Sequence, residues 1–182
     1  LSVEGVTPAT ATVEDGTYPL ARPLFIYSAE KSLQTKPQVA EFVDFYLTNV
    51  TTEISDVGYF PASAALLDAS MARLQESLTK AKAGESSDTI VTTGSSTVYP
   101  LTVRMGEQFA AAGFTGTVTG ESIGTKAGFA QLCARGSAID IMNASRAITR
   151  PELEACRKAK VQPVELRIGS DAVAMVVSRE NT

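Results

Sequence analysis

Histidine is missing from all 182 residues of this chain. Its absence removes Ser-His-Asp and Cys-His nucleophile arrangements, histidine zinc sites and the usual general base near neutral pH. Paired carboxylates could still do acid–base chemistry, but no acidic pair stands out among the loop residues. The enzyme reading therefore starts low, and no catalytic residue, metal or cofactor is expected. Cysteine is scarce: Cys133 and Cys156 are the only two, with no C-x-x-C or metal-ligand spacing. Spacing alone leaves two buried thiols and a disulfide equally open. No run of 18 apolar residues is present, which excludes a helical membrane span. The net charge is −4 and there is no basic stripe, which argues against nucleic acid as a partner. Leu1 opens no signal-peptide pattern, as expected of a mature or excised chain. What remains is 44% hydrophobic and 20% charged, enough for one globular domain with a core.

The front of the chain alternates turn-rich and apolar stretches. Residues 1–6 read as a short strand and 7–16 as turns around Pro8, Asp15 and Gly16. Pro23-Leu24-Phe25-Ile26-Tyr27 reads as a strand buried on both faces. Residues 36–50 read as a helix, with Pro37 in its first turn and Val39, Phe42, Val43, Tyr46 and Leu47 on one stripe. Residues 57–61 form a strand or turn end, and 64–83 a second helix. The segment 80–88, Lys-Ala-Lys-Ala-Gly-Glu-Ser-Ser-Asp, is small and polar without apolar period, and reads as a linker.

Regular alternation follows: strand 89–93, helix 98–112, strand 116–120, helix 124–135, strand 138–142, helix 149–159, then strands 162–168 and 171–178. Thr149, Pro151 and Glu152 make a capping-box helix start. Such alternation predicts an α/β fold with a mostly parallel, doubly wound sheet and helices on both faces. Ligands of such sheets bind beyond the carboxyl ends of the strands. Two loops of small hydroxyl residues fall there, Thr93-Gly94-Ser95-Ser96-Thr97-Val98-Tyr99-Pro100 and Gly120-Glu121-Ser122-Ile123-Gly124-Thr125-Lys126-Ala127-Gly128. One such loop is an ordinary N-cap. Two on successive βα units, with Asn143-Ala144-Ser145-Arg146 after a third strand, point to an oxyanion held by helix N-termini.

Those segments carry a resemblance. Residues 94–100, 123–133, 140–146 and 168–181 resemble the N-terminal part of PstS-type phosphate-binding proteins, the receptors of phosphate ABC transporters with the type II periplasmic binding protein fold. Residues 3–8, 16–27, 42–47 and 57–61 resemble the C-terminal part of the same family. The family order is inverted here, and the second lobe that lies between the two parts has no counterpart. The resemblance thus implies one circularly permuted lobe: 1–84 from the C-terminal family segment, 80–88 as the joining linker and 89–182 from the N-terminal segment.

The resemblance places phosphate contacts at Ser96, Thr97, the N–H groups of Val98 and Tyr99, and Thr125. At the position of a family aspartate stands Arg146, which suggests an ion pair with the anion. Lys126 is either an electrostatic helper or a solvent-facing residue. The resemblance also implies a Cys133–Cys156 disulfide, an extracytoplasmic location, inorganic phosphate as ligand and an ABC transporter permease as partner. It leaves an exposed inter-lobe face, a candidate surface for a homodimer. Without a second lobe, losing several charge-assisted bonds of about 1.5–3 kcal/mol each predicts weak binding. The alternative reading is a stand-alone fold with no useful affinity.

Overall fold

Val39, Phe42, Val43, Tyr46 and Leu47 are all buried, so the stripe of the first long helix is the centre of the larger core. The structure is a computed structural model and describes residues 2–79, 87–174 and 178. In order the chain forms α1 (Thr10–Glu14), β1 (Ala21–Ala29), α2 (Glu30–Thr35), α3 (Pro37–Glu53), β2 (Phe60–Pro61), α4 (Ala64–Leu78), β3 (Thr89–Gly94), α5 (Tyr99–Ala111), β4 (Thr117–Ser122), α6 (Thr125–Leu132), β5 (Ile141–Ala144), α7 (Arg150–Lys158) and β6 (Pro163–Ala172).

All six strands share one sheet in the order β2-β6-β1-β5-β3-β4. Strands β3, β4, β5 and β6 run one way, which makes the sheet mostly parallel by direction; β1 and β2 run against them. Because β1 lies between β5 and β6, both of its ladders are antiparallel. The apolar run of β1 serves both layers through its alternation. Leu24 and Ile26 join the core made with α3, α4 and α5, while Phe25 and Tyr27 join Phe129, Leu132 and Met142 under α6.

The two halves of the sequence share this core. Ile90, Leu101, Met105 and Ile141 from the second half pack with Leu24, Phe42 and Val43 from the first. Polar ties cross as well. Lys36 Nζ lies 2.7 Å from Asp140, whose other carboxylate oxygen accepts the Val91 N–H at 3.0 Å. Arg104 reaches from α5 to Glu53 and Asp56.

Several boundaries differ from the sequence reading. Residues 3–6 form no strand; Val3 and Val6 make an isolated bridge around a tight turn. The turn-rich stretch contains the short helix α1, anchored by buried Val13. The two final strands are one strand, β6, irregular opposite Leu24 and Phe25. Gly169 and Ser170, left between the two expected strands, are buried within it, and the following Asp171 is paired with Arg22. Of the linker 80–88, residues 80–86 lie outside the described residues; so do 175–177. A disulfide joins Cys133, just past α6, to Cys156 in α7. Closing a loop of this length stabilises by about 3 kcal/mol.

Candidate oxyanion site

Strands β3, β4 and β5 end at the same edge of the sheet, and Gly94 is where their loops meet. Its carbonyl accepts the N–H groups of Ile123 (3.1 Å) and Gly124 (2.8 Å), which ties the loop after β4 to the end of β3. The next residue, Ser95, donates its N–H to the Asn143 carbonyl at 2.8 Å and so ties in β5. Gly94 has φ +117°, and a Cβ there would lie 2.3 Å from the Asn143 oxygen, so a side chain has no room. Gly128 serves a second close approach: a Cβ on it would stand 2.8 Å from Gly94 Cα, where α6 crosses the end of β3.

Ser95 does the capping. Its Oγ accepts the Thr97 N–H at 3.2 Å and its carbonyl accepts the Tyr99 N–H at 3.0 Å. The ordinary reading of this loop therefore applies to Ser95. Exposed Ser96 and half-buried Thr97 keep hydroxyls with no partner among the described residues, and so do the N–H groups of Ser96 and Val98. Tyr99 is less available than the sequence suggested, since its N–H is already used. Its hydroxyl donates to the Gly120 carbonyl at 3.1 Å. Tyr59, from the first half of the chain, steadies the loop by donating to the Thr97 carbonyl at 2.7 Å.

Thr125 opens α6 directly after Gly124, whose φ is +87°. Its Oγ1 lies 3.2 Å from Ser145 Oγ and accepts the Ser145 N–H at 3.3 Å. The first bond of this helix runs from Gly128 N–H to the Gly124 carbonyl, so the N–H groups ahead of it, at the helix's positive end, precede the ladder. The structure thus brings Thr125 together with Ser145, a residue that the sequence placed only in a turn. Beneath them, buried Asn143 accepts the Thr102 hydroxyl at 2.8 Å, and its Nδ2 has no partner among the described residues.

Arg146 stands beside this pair but has a carboxylate of its own. Its Nη1 and Nη2 donate to the two oxygens of Glu152 at 2.8 and 2.7 Å, and its Cζ lies 5.5 Å from the Phe129 ring centroid. Glu152 also accepts the Thr149 N–H and hydroxyl, closing the capping box of α7. The Arg146 hydrogen bonds, helped by Thr149 and opposed by partial burial, lower the Glu152 pKa to about 2. The capping box was legible in the sequence; its capture of Arg146 was not, because nothing in the spacing says which way a long side chain turns. Lys126 is exposed.

The site is an open edge and not a closed chamber. A cavity of about 670 Å³ lies at the opposite edge, between α2, the segment after α6 and the turn into β6. Among the described residues no cluster of acidic, cysteine or histidine side chains could hold a metal, and no helix is long and apolar enough to cross a membrane. Large exposed apolar side chains there are Leu66, Val103 and Val173, on three separate parts of the chain, which lends the expected homodimer no support.

Comparison with known proteins gives a consistent picture. Residues 79–182 match the PBP superfamily domain. Over 88 residues the chain is 41% identical to protein SphX of Synechococcus elongatus, covering 48% of this chain and 26% of that protein. Over 52 residues it is 42% identical to the phosphate-binding protein PstS of Staphylococcus haemolyticus, covering 29% of this chain and 16% of that one. The chain thus spans about a quarter or less of the length of these relatives. Among solved structures, a phosphate ABC transporter, phosphate-binding protein from Streptococcus pneumoniae TIGR4 superposes with a TM-score of 0.62 at 22% identity, over 93% of this chain and 58% of that one. That likeness concerns the fold.

Proposed function

Because this chain belongs to the PBP superfamily, we propose that it is the anion-holding lobe of a phosphate-binding solute receptor. The observation that carries the reading is the convergence on Gly94. There the Ser96–Val98 turn, with unused hydroxyls and N–H groups, meets the Thr125–Ser145 hydroxyl pair at the N-terminus of α6. Hydroxyls and helix dipoles can hold a phosphate in an acidic protein without help from its overall field. Ser96, Thr97, the Val98 N–H and Thr125 are the contacts, joined by Ser145. Tyr99 contributes by sharing its N–H, and Arg146 only by leaving Glu152.

The same reading makes 1–84 and 89–182 two permuted segments of one lobe joined through 80–88, in keeping with their shared sheet. It also assigns the chain to uptake with an ABC transporter permease, in an extracytoplasmic compartment suited to the disulfide, and to no enzymatic step. Half of a two-sided site binds weakly. A titration of isotope-labelled protein with orthophosphate, beside sulfate, tests this. Phosphate-selective shifts at the amides of Ser96, Val98 and Thr125, lost in Thr125→Val, are expected. A well-dispersed spectrum that phosphate leaves unmoved at millimolar concentration would refute the reading and leave a fold without affinity.

A further inference from the structure

Arg167 is a cation at the same edge that the loops leave unexplained. It lies on β6 opposite Phe25 of β1, and Phe25 is in turn opposite Ala144 at the end of β5. That register sets Arg167 at the height of the Ser145–Arg146 turn. Its side chain leans further toward the carboxyl edge: Nη2 donates to the Ser170 hydroxyl at 2.8 Å, and Cζ lies 5.0 Å from the Phe25 ring centroid. Phe25 packs in the cluster with Tyr27 and Phe129, the face on which α6 and Thr125 lie.

Its surroundings differ from those of its neighbours. Arg22, Arg104, Arg146 and Arg150 each pair with a carboxylate, whereas Arg167 makes no salt bridge among the described residues. Its Nε is buried without an acceptor. Burial pushes its pKa down, with only the nearby Glu165 charge opposing. A guanidinium carries five N–H donors, and one side-chain bond does not satisfy them. A half-buried charge left unpaired is costly unless an anion completes it. The strand does not need this side chain, because Ser70 holds the backbone: its hydroxyl accepts the Arg167 N–H at 2.9 Å and meets the Arg167 carbonyl at 3.1 Å.

We propose that Arg167 receives a second anionic group of the solute, so that the site takes a diphosphate or an organic phosphate bearing another negative group. This rests on the phosphate reading above. Lying over Phe25, the guanidinium stands about one strand spacing, roughly 5 Å, to the side of β5. The hydroxyl loops sit at the ends of β5, β3 and β4, on the other side. A phosphate centred at the end of β3, where those loops converge on Gly94, stands two strand spacings, roughly 10 Å, from β1, beyond hydrogen-bond reach of Arg167, and a longer anion extends toward it. Arg146 does not compete, since Glu152 occupies it.

Calorimetric titration of this chain with orthophosphate, pyrophosphate and phosphonoacetate tests the assignment, with Arg167→Gln and Arg167→Lys as variants and amide dispersion as the check on folding. At least one of the two longer anions should bind about tenfold or more tighter than orthophosphate. Which of them gains identifies the second group as phosphoryl or carboxylate. Arg167→Gln should abolish the gain while changing orthophosphate binding by less than about twofold, and Arg167→Lys should recover part of it. Orthophosphate binding with no gain for either longer anion, or a gain that survives in Arg167→Gln, overturns this inference and leaves the phosphate reading standing. Binding of none of the three overturns both.

Discussion

Ser95 and Ser96 are chemically identical neighbours with opposite surroundings. Ser95 is buried and caps the turn into α5, while Ser96 faces out with its hydroxyl unused. Ser95→Ala should therefore cost about 1 kcal/mol of stability. Ser96→Ala should stay within about 0.5 kcal/mol and act on phosphate shifts instead. Urea unfolding of both variants, beside the phosphate titration, reads the division; equal effects on stability would remove it. Glu152 makes a second prediction. Its carboxyl is held at about 2 in the folded protein against an ordinary 4.5. A folded pKa below the unfolded one stabilises above about 4.5, and that stabilisation fades as pH falls toward 2. Glu152→Gln should therefore lose less stability than the parent across that window in urea titrations at stepped pH. At neutral pH the difference should be about 1 kcal/mol or less, because the pair is partly exposed and screened by solvent. Acid limbs that run parallel would count against the pair.

The elements themselves were largely written in the pattern of the chain. The spacing of Val39, Phe42, Val43, Tyr46 and Leu47 found α3, and Thr149 with Pro151 and Glu152 found the start of α7 to the residue. One difference has a clear cause, a gap read between two strands that tertiary pairing closes. Ser170 and Asp171 sit inside β6 because Arg22 answers the buried carboxylate, a partner no local window contains. The antiparallel sense of β1 is likewise invisible from the βα alternation that announced β3, β4 and β5. At the site, the two hydroxyl loops were legible, but the division of labour between Ser95 and Ser96, the pairing of Thr125 with Ser145 and the isolation of Arg167 needed the packed structure. One link between elements invites measurement. The Cys133–Cys156 bridge fastens α7, which carries Glu152, to the end of α6, whose start carries Thr125. Reduction, or replacement of both cysteines by alanine, should lower stability by about 3 kcal/mol, read as a shift in denaturant midpoint. An unchanged midpoint would mean the bridge does not constrain the unfolded chain.

Across the whole molecule, one core made from both halves predicts one cooperative transition. Far-ultraviolet circular dichroism and tyrosine fluorescence should report the same midpoint; separate midpoints would mean the halves fold apart. The Lys36–Asp140 tie between halves supplies a sharper test. Lys36→Met leaves Asp140, only 1% exposed, with the Val91 N–H but no cation, and should cost about 1–3 kcal/mol. Asp140→Asn with Lys36→Met should recover part of that loss in the same unfolding assay. The place of β1 in the sheet also has a consequence in time. Its ladder with β6 pairs residues as far apart as Ala21 and Ala172, so everything between them must exist before the sheet can close. Contacts of such long range form late and slowly. During synthesis the run Leu24-Phe25-Ile26-Tyr27, sheltered in the finished fold, emerges before its partners and waits until residues 141–172 have been made. The segment that ends as the seam of the molecule is thus the one most in need of protection while the chain is being born.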